Sequence, residues 1–158
     1  MADPVAFVYS QSANCTDTGY MTHTIITIVL ALVPPPAGYD PAPILDAIQH
    51  VETGGEADPS AAVGDNGASI GPLQIQRACW ADAVERDETL TANGETWQNC
   101  TDPAYARRVA IAYWTRYAPD WKPATLAGIW NGGPKGHRKA STAAYRAKVQ
   151  ARLREMGQ

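Results

Sequence analysis

Residues 54–71, GGEADPSAAVGDNGASIG, cannot form a helix, and this constrains the chain more than any other feature. Five glycines and one proline fall within these eighteen residues. In a helix interior, glycine costs about 1 kcal/mol against alanine and proline about 3 kcal/mol. The residues on either side read as helix. The chain must therefore build a mainly helical body, interrupted once by a segment of turn formers. Within that segment Gly64-Asp65-Asn66-Gly67 predicts a short, irregular hairpin.

The flanking helices follow from caps and periodicity. Upstream, Asp40 can cap a helix and Pro41 suits its first turn, while Ile44, Leu45, Ile48 and Val51 recur at three- and four-residue steps. Gly54 and Gly55 end it. Downstream, GPLQIQRACWADAVE predicts a second helix opening near Pro72. A third begins at Thr101 or Asp102 with Pro103 and stops before Pro119. PATLAGIWNGGP predicts a short fourth helix, ended by Gly132 and Gly133. STAAYRAKVQARLREM predicts a fifth, with Tyr145, Val149, Leu153 and Met156 on its apolar side. The expected class is α+β, mainly α, with about five helices and one small β-hairpin.

The remaining features bound the organisation. With 158 residues, the chain holds one ordinary globular domain, assigned to residues 43–158. Residues 1–42 read as an N-terminal tail. Its apolar run at 25–33 is too short to span a bilayer but fits the core of a secretory signal. No Lys or Arg precedes that run, and Met21 just upstream offers a second start. Secretion or a periplasmic location is the expectation. Loss of the tail would remove Cys15 and leave Cys79 and Cys100, which could pair across a polar loop in an oxidising compartment. The cysteines have no zinc-type spacing, so no metal or other cofactor is expected. Residues 1–100 carry 13 acidic and two basic side chains, whereas residues 101–158 carry three acidic and 11 basic. The basic end reads as a solvated helix face, not a nucleic-acid surface, because no nucleic-acid motif accompanies it.

Two carboxylates flank the glycine-rich segment. Glu52 falls in the last turn of the first helix, where the dipole disfavours an anion, and shares a side with Leu45 and Ile48. Both effects push its pKa upward, as a general acid requires. Asp65 sits among polar turn residues, and the positive end of the next expected helix lies six residues on. Both features favour its ionised form. Two acids driven apart in this way form the pattern of glycoside hydrolysis.

The blocks VETGG, GDNGASIGPLQI, CWADA, YWTRYA and WNGGPKG, in that order, resemble the invertebrate-type lysozyme (destabilase) family and its bacterial relatives. The resemblance covers roughly residues 43–150. It implies a lysozyme-like fold and hydrolysis of the β-1,4 bond between N-acetylmuramic acid and N-acetylglucosamine. The family's proton donor falls on Glu52 and its nucleophile on Asp65. The segment that lines its sugar cleft falls on Gln76 to Asp82, and so includes Arg77 and Trp80. Its further cleft positions fall on Tyr113, Asn131, Gly132 and Gly133. Trp80, Tyr113 and Trp130 are candidates to stack on sugar rings. The implied partner is peptidoglycan or a related amino-sugar polymer, acted on by a monomer without a membrane span. The chain departs from the animal members by having few cysteines, Trp130 where they usually have His, and an Asp-to-GP interval about one residue shorter. A non-catalytic sugar-binding module of the same fold is the alternative, and an adaptor using the basic C-terminal helix is a third reading.

Overall fold

The computed structural model describes residues 34–158. The apolar run at 25–33, Met21 and Cys15 lie outside the described residues. Five α-helices form the body: α1 Ala42–Thr53, α2 Arg77–Arg86, α3 Pro103–Tyr117, α4 Pro123–Gly132 and α5 Ala143–Glu155. Local chemistry accounts for several of their ends. Asp40 Oδ1 accepts the Ala42 N–H at 2.9 Å, and α1 stops at Gly54 with φ 63°. Asp102 Oδ1 accepts the Tyr105 N–H at 2.7 Å at the start of α3. Gly133, with φ 78°, follows α4. The apolar stripe of α1 buries Ile44, Leu45, Ala47 and Ile48, and each of its three larger side chains contributes up to about 1.5–3 kcal/mol.

The core lies between α1, α3, α4 and α5. Trp114 of α3 is fully buried at its centre. Trp121 and Trp130 meet it edge-on, with ring centroids 6.5 and 5.8 Å away, a favoured aromatic geometry. Tyr39, ahead of α1, packs on Trp121 at 5.4 Å.

The hairpin expected near residues 64–67 is present and extends into a three-stranded antiparallel sheet. The strands are β1 Val63–Gly64, β2 Ser69–Ile70 and β3 Ile75–Gln76, in the order β1-β2-β3. Val63 pairs with Ile70, and Ile70 with Ile75. Strands of two residues supply few ladder bonds, so the sheet depends on side-chain ties. Gln74 provides three. Its Oε1 accepts the Ser69 hydroxyl at 3.0 Å, and its Nε2 donates to the carbonyls of Ala62 at 3.1 Å and Gly71 at 2.9 Å.

The second helix does not open at Pro72. Residues 71–74 form a turn, and α2 begins at Arg77. The cause is tertiary. Gly71 has φ 74°, and a Cβ there would lie 2.0 Å from the carbonyl oxygen of Cys100. Only glycine tolerates that approach. Gln74 also takes a left-handed φ of 50°. The chain turns twice before it can enter a helix, and Ile75–Gln76 serves first as a strand.

Candidate active site

The end of α1, the small sheet, α2 and the end of α4 enclose a cleft of about 880 Å³. Glu52 and Asp65 both line it. Glu52 sits one residue before the end of α1 and is half-buried. Burial pushes its pKa up, and the Asp65 charge adds to the rise. Hydrogen bonds from Tyr145 and Trp130 oppose it. The Tyr145 hydroxyl donates to Glu52 Oε1 at 2.5 Å. The net rise is the direction expected of an acid that must hold its proton.

Asp65 is exposed and lies in the turn between β1 and β2. Its φ is 49° and that of Asn66 is 55°. Two successive left-handed residues without glycine are uncommon, and Asp and Asn are the types that tolerate this conformation best. Backbone strain of this kind concentrates where function demands a particular side-chain placement.

Of the other expected positions, Gln76, Asp82, Tyr113, Trp130, Asn131, Gly132 and Gly133 also line the cleft. Asp82 is held on its wall: the Tyr117 hydroxyl donates to Oδ2 at 2.9 Å, and the Arg116 guanidinium lies 3.9 Å from Oδ1. Tyr113 is buried beneath that wall, edge-on to Trp130 at 6.3 Å. Burial raises its phenol pKa above the usual value. Lys139, not foreseen from the sequence, lines the cleft with its Nζ donating to the Gly132 carbonyl at 2.7 Å.

Two expected positions do not reach the cleft. Arg77 is exposed and outside the lining. Trp80 turns toward the core, and its indole N–H donates to the Tyr105 hydroxyl at 2.9 Å, which donates in turn to the Leu90 carbonyl at 2.8 Å. Its ring is thus part of the scaffold between α2 and α3. The expected bridge between Cys79 and Cys100 is not formed, and both are free thiols. Burial pushes each pKa to about 12. Neither thiol then carries much thiolate at neutral pH, which thiol–disulfide exchange needs.

Tyr145 and Gln74, which hold Glu52 and the small sheet, were not singled out from the sequence either. A tyrosine at the head of an otherwise aliphatic stripe was the available signal, since a hydroxyl taken from water needs a partner. Among the described residues, no cluster of His, Cys, Asp or Glu is arranged to hold a metal. No described helix is long and apolar enough to cross a membrane.

No protein-family model matches the chain. It is 35% identical over 91 residues to Lysozyme 1 of Crassostrea virginica, a match that covers 54% of this chain. The chain spans about half of that relative, 46% of its length. The Tapes japonica lysozyme structure superposes with a TM-score of 0.57 at 26% identity, covering 68% of this chain and 86% of that one. Inhibitor-bound lysozyme from Meretrix lusoria gives a TM-score of 0.56 at 28% identity, covering 69% and 87%. The fold is lysozyme-like, and the proteins it resembles include lysozymes of bivalve molluscs.

Proposed function

We propose that this chain, a homologue of the invertebrate-type lysozymes, is a muramidase that cleaves the β-1,4 bond between N-acetylmuramic acid and N-acetylglucosamine in peptidoglycan. One observation carries the reading: a half-buried carboxyl with a raised pKa and an exposed carboxylate face the same cleft from different elements. Binding a sugar needs no such pair, whereas breaking a glycosidic bond does.

In this mechanism Glu52 gives its proton to the glycosidic oxygen as the bond to the anomeric carbon breaks. The Asp65 carboxylate attacks that carbon and forms a glycosyl ester. Glu52, now a carboxylate, takes a proton from water, and the resulting hydroxide displaces Asp65. The second step restores both groups to their starting states. Gln76 and Asn131 offer amide donors and acceptors to acetamido and hydroxyl groups, and Trp130 offers an aromatic edge. We read the chain as a bacterial-type member, because it lacks the dense cysteine set of the animal proteins. Action on a cell wall requires export, in keeping with the apolar run at 25–33 and with assignment of residues 1–42 to a tail. An antimicrobial role, or remodelling of the producer's own wall, follows from the same chemistry.

The test is release of reducing ends from purified peptidoglycan, with product masses read by mass spectrometry. Muropeptides ending in reducing N-acetylmuramic acid are expected. Glu52→Gln should fold normally and lose about 10²–10⁴-fold in rate, the range contributed by general acid catalysis. Near-wild-type turnover by that variant would remove Glu52 from the mechanism. Glycan binding with no turnover by the wild type would establish the sugar-binding reading instead.

A further inference from the structure

Glu52 is held by more than its own helix. Tyr145, on α5, places its hydroxyl oxygen 2.5 Å from Glu52 Oε1. The indole of Trp130, on α4, donates to the same carboxyl group. Both donors come from helices that pack against α1. A tyrosine at the head of the α5 stripe could have satisfied its hydroxyl on any backbone carbonyl. Here its partner is the carboxyl of the proposed acid.

We propose that Tyr145 is a positioning residue for the acid step, fixing the transferable proton of Glu52 on Oε2 and stabilising the carboxylate left when that proton departs. This rests on the muramidase reading of the site. A neutral carboxyl has one carbonyl oxygen and one hydroxyl oxygen. A donor directed at Oε1 makes Oε1 the carbonyl oxygen, so the proton resides on Oε2. Burial, with the Glu52 charge adding to it, pushes the phenol pKa far above its usual value. Tyr145 therefore remains a donor wherever the enzyme works. A hydrogen bond to an ionised acceptor is roughly twice as strong as one between neutral groups. The bond thus tightens as the proton leaves, and an interaction that strengthens toward the transition state raises the rate rather than substrate affinity.

Of the two donors to the Glu52 carboxyl group, Tyr145 makes the 2.5 Å contact at Oε1; Trp130 is a second donor that likewise stays protonated. Asp65, from the β1–β2 turn, is an anion that raises the Glu52 pKa. Two further charged residues line the cleft, and each has its own partner: Asp82 accepts from Tyr117, and Lys139 donates to Gly132. On α1 itself, the His50 ring lies against Gly55.

The test compares wild type with Tyr145→Phe on soluble peptidoglycan fragments across a pH series. The variant should lose about 10–100-fold in kcat, the scale of removing one preorganised donor, with KM within about twofold. Losing a donor that favours the carboxylate raises the Glu52 pKa. The alkaline limb of kcat/KM, where activity fades as Glu52 ionises, should therefore move to higher pH. In the Glu52→Gln background, adding Tyr145→Phe should change the residual rate by less than about twofold, because residues that act as a unit are not additive. An unmoved limb, or a further tenfold loss in that background, would show that Tyr145 only fills space and would overturn the proposal. If Tyr145→Phe does not fold, 3-fluorotyrosine at position 145 keeps the shape with a stronger donor. It should move the limb to lower pH, and an unmoved limb is again fatal. A wild type that releases no reducing ends refutes the muramidase reading and this proposal with it, and the wild-type control alone identifies that case.

Discussion

Replacing Gln74 tests whether a single side chain sets the position of Asp65. Gln74→Ala removes three hydrogen bonds: one to Ser69 of β2, one to Ala62 just before β1, and one to Gly71 within its own turn. At about 1 kcal/mol each, the gross loss is about 3 kcal/mol. Two of the stranded acceptors keep a second donor, since the Gly71 N–H still reaches the Ala62 carbonyl at 2.9 Å and the Gln74 N–H the Gly71 carbonyl at 3.0 Å. The Ser69 hydroxyl, on a residue only 4% exposed, loses the acceptor it donates to. The net cost should be about 2 kcal/mol, or roughly 6–8 °C in melting temperature for a domain of this size. Gln74 also holds φ at 50°, a conformation that costs a non-glycine residue roughly 1–2 kcal/mol. Gln74→Gly relieves that strain and should therefore be more stable than Gln74→Ala, reversing the usual order. Because Asp65 sits in the turn that β1 and β2 hold, both variants should lose about 10–100-fold in kcat, as expected for a reacting group displaced by about 1 Å. Thermal melts and initial rates on peptidoglycan measure both effects. A Gln74→Ala protein as stable and active as wild type would refute the reasoning, as would a glycine variant less stable than the alanine one.

Two further predictions follow from the carboxylates. The folded-state pKa of Glu52 is raised, so its ionisation opposes folding: the penalty is absent below the unfolded-state pKa and grows as pH rises toward the folded one. Glu52→Gln should thus melt above wild type at neutral pH and lose that advantage on acidification, as differential scanning calorimetry at several pH values would read; equal melting at pH 7 would contradict the burial argument. If Asp65 is the nucleophile, the carboxyl groups should work about 5–5.5 Å apart and the anomer should be retained. Proton NMR of the first-formed reducing ends decides this, and an initial α product would point to inversion through an intervening water.

Much of this was legible because much of it is local. The ends of α1 and α3 are written in Asp40, Gly54, Asp102 and Pro103, each acting within a few residues. Glu52 was identifiable because a late-helix position on an apolar side already implies its electrostatics. The errors arose where a distant contact decides. Residues 71–74 leave the helical pattern because of the Cys100 carbonyl, and nothing near Pro72 announces that contact. Tyr145 meets Glu52 across 93 residues of sequence. Arg77 and Trp80 came with the whole segment Gln76 to Asp82 that the family resemblance placed on the cleft, but a helix turns about 100° per residue. Only the face carrying Ala78, Cys79 and Asp82 lines the cleft, at the three- and four-residue spacing that one side of a helix permits.

The two proposed reacting groups are mounted on different kinds of support. Glu52 rides on a helix whose apolar stripe is buried in the core, while Asp65 rides on a turn between two-residue strands. The first support is stiff, and the second has a length that can change by single residues. One extended residue spans about 3.3–3.6 Å. The carboxyl separations that distinguish retention from inversion differ by about 1–4.5 Å. Inserting or deleting one residue in this turn therefore moves Asp65 by as much as separates the two stereochemical outcomes. If the two groups react as proposed, the anomeric configuration of the product depends on the length of this turn, which can change without disturbing the helix that carries the acid.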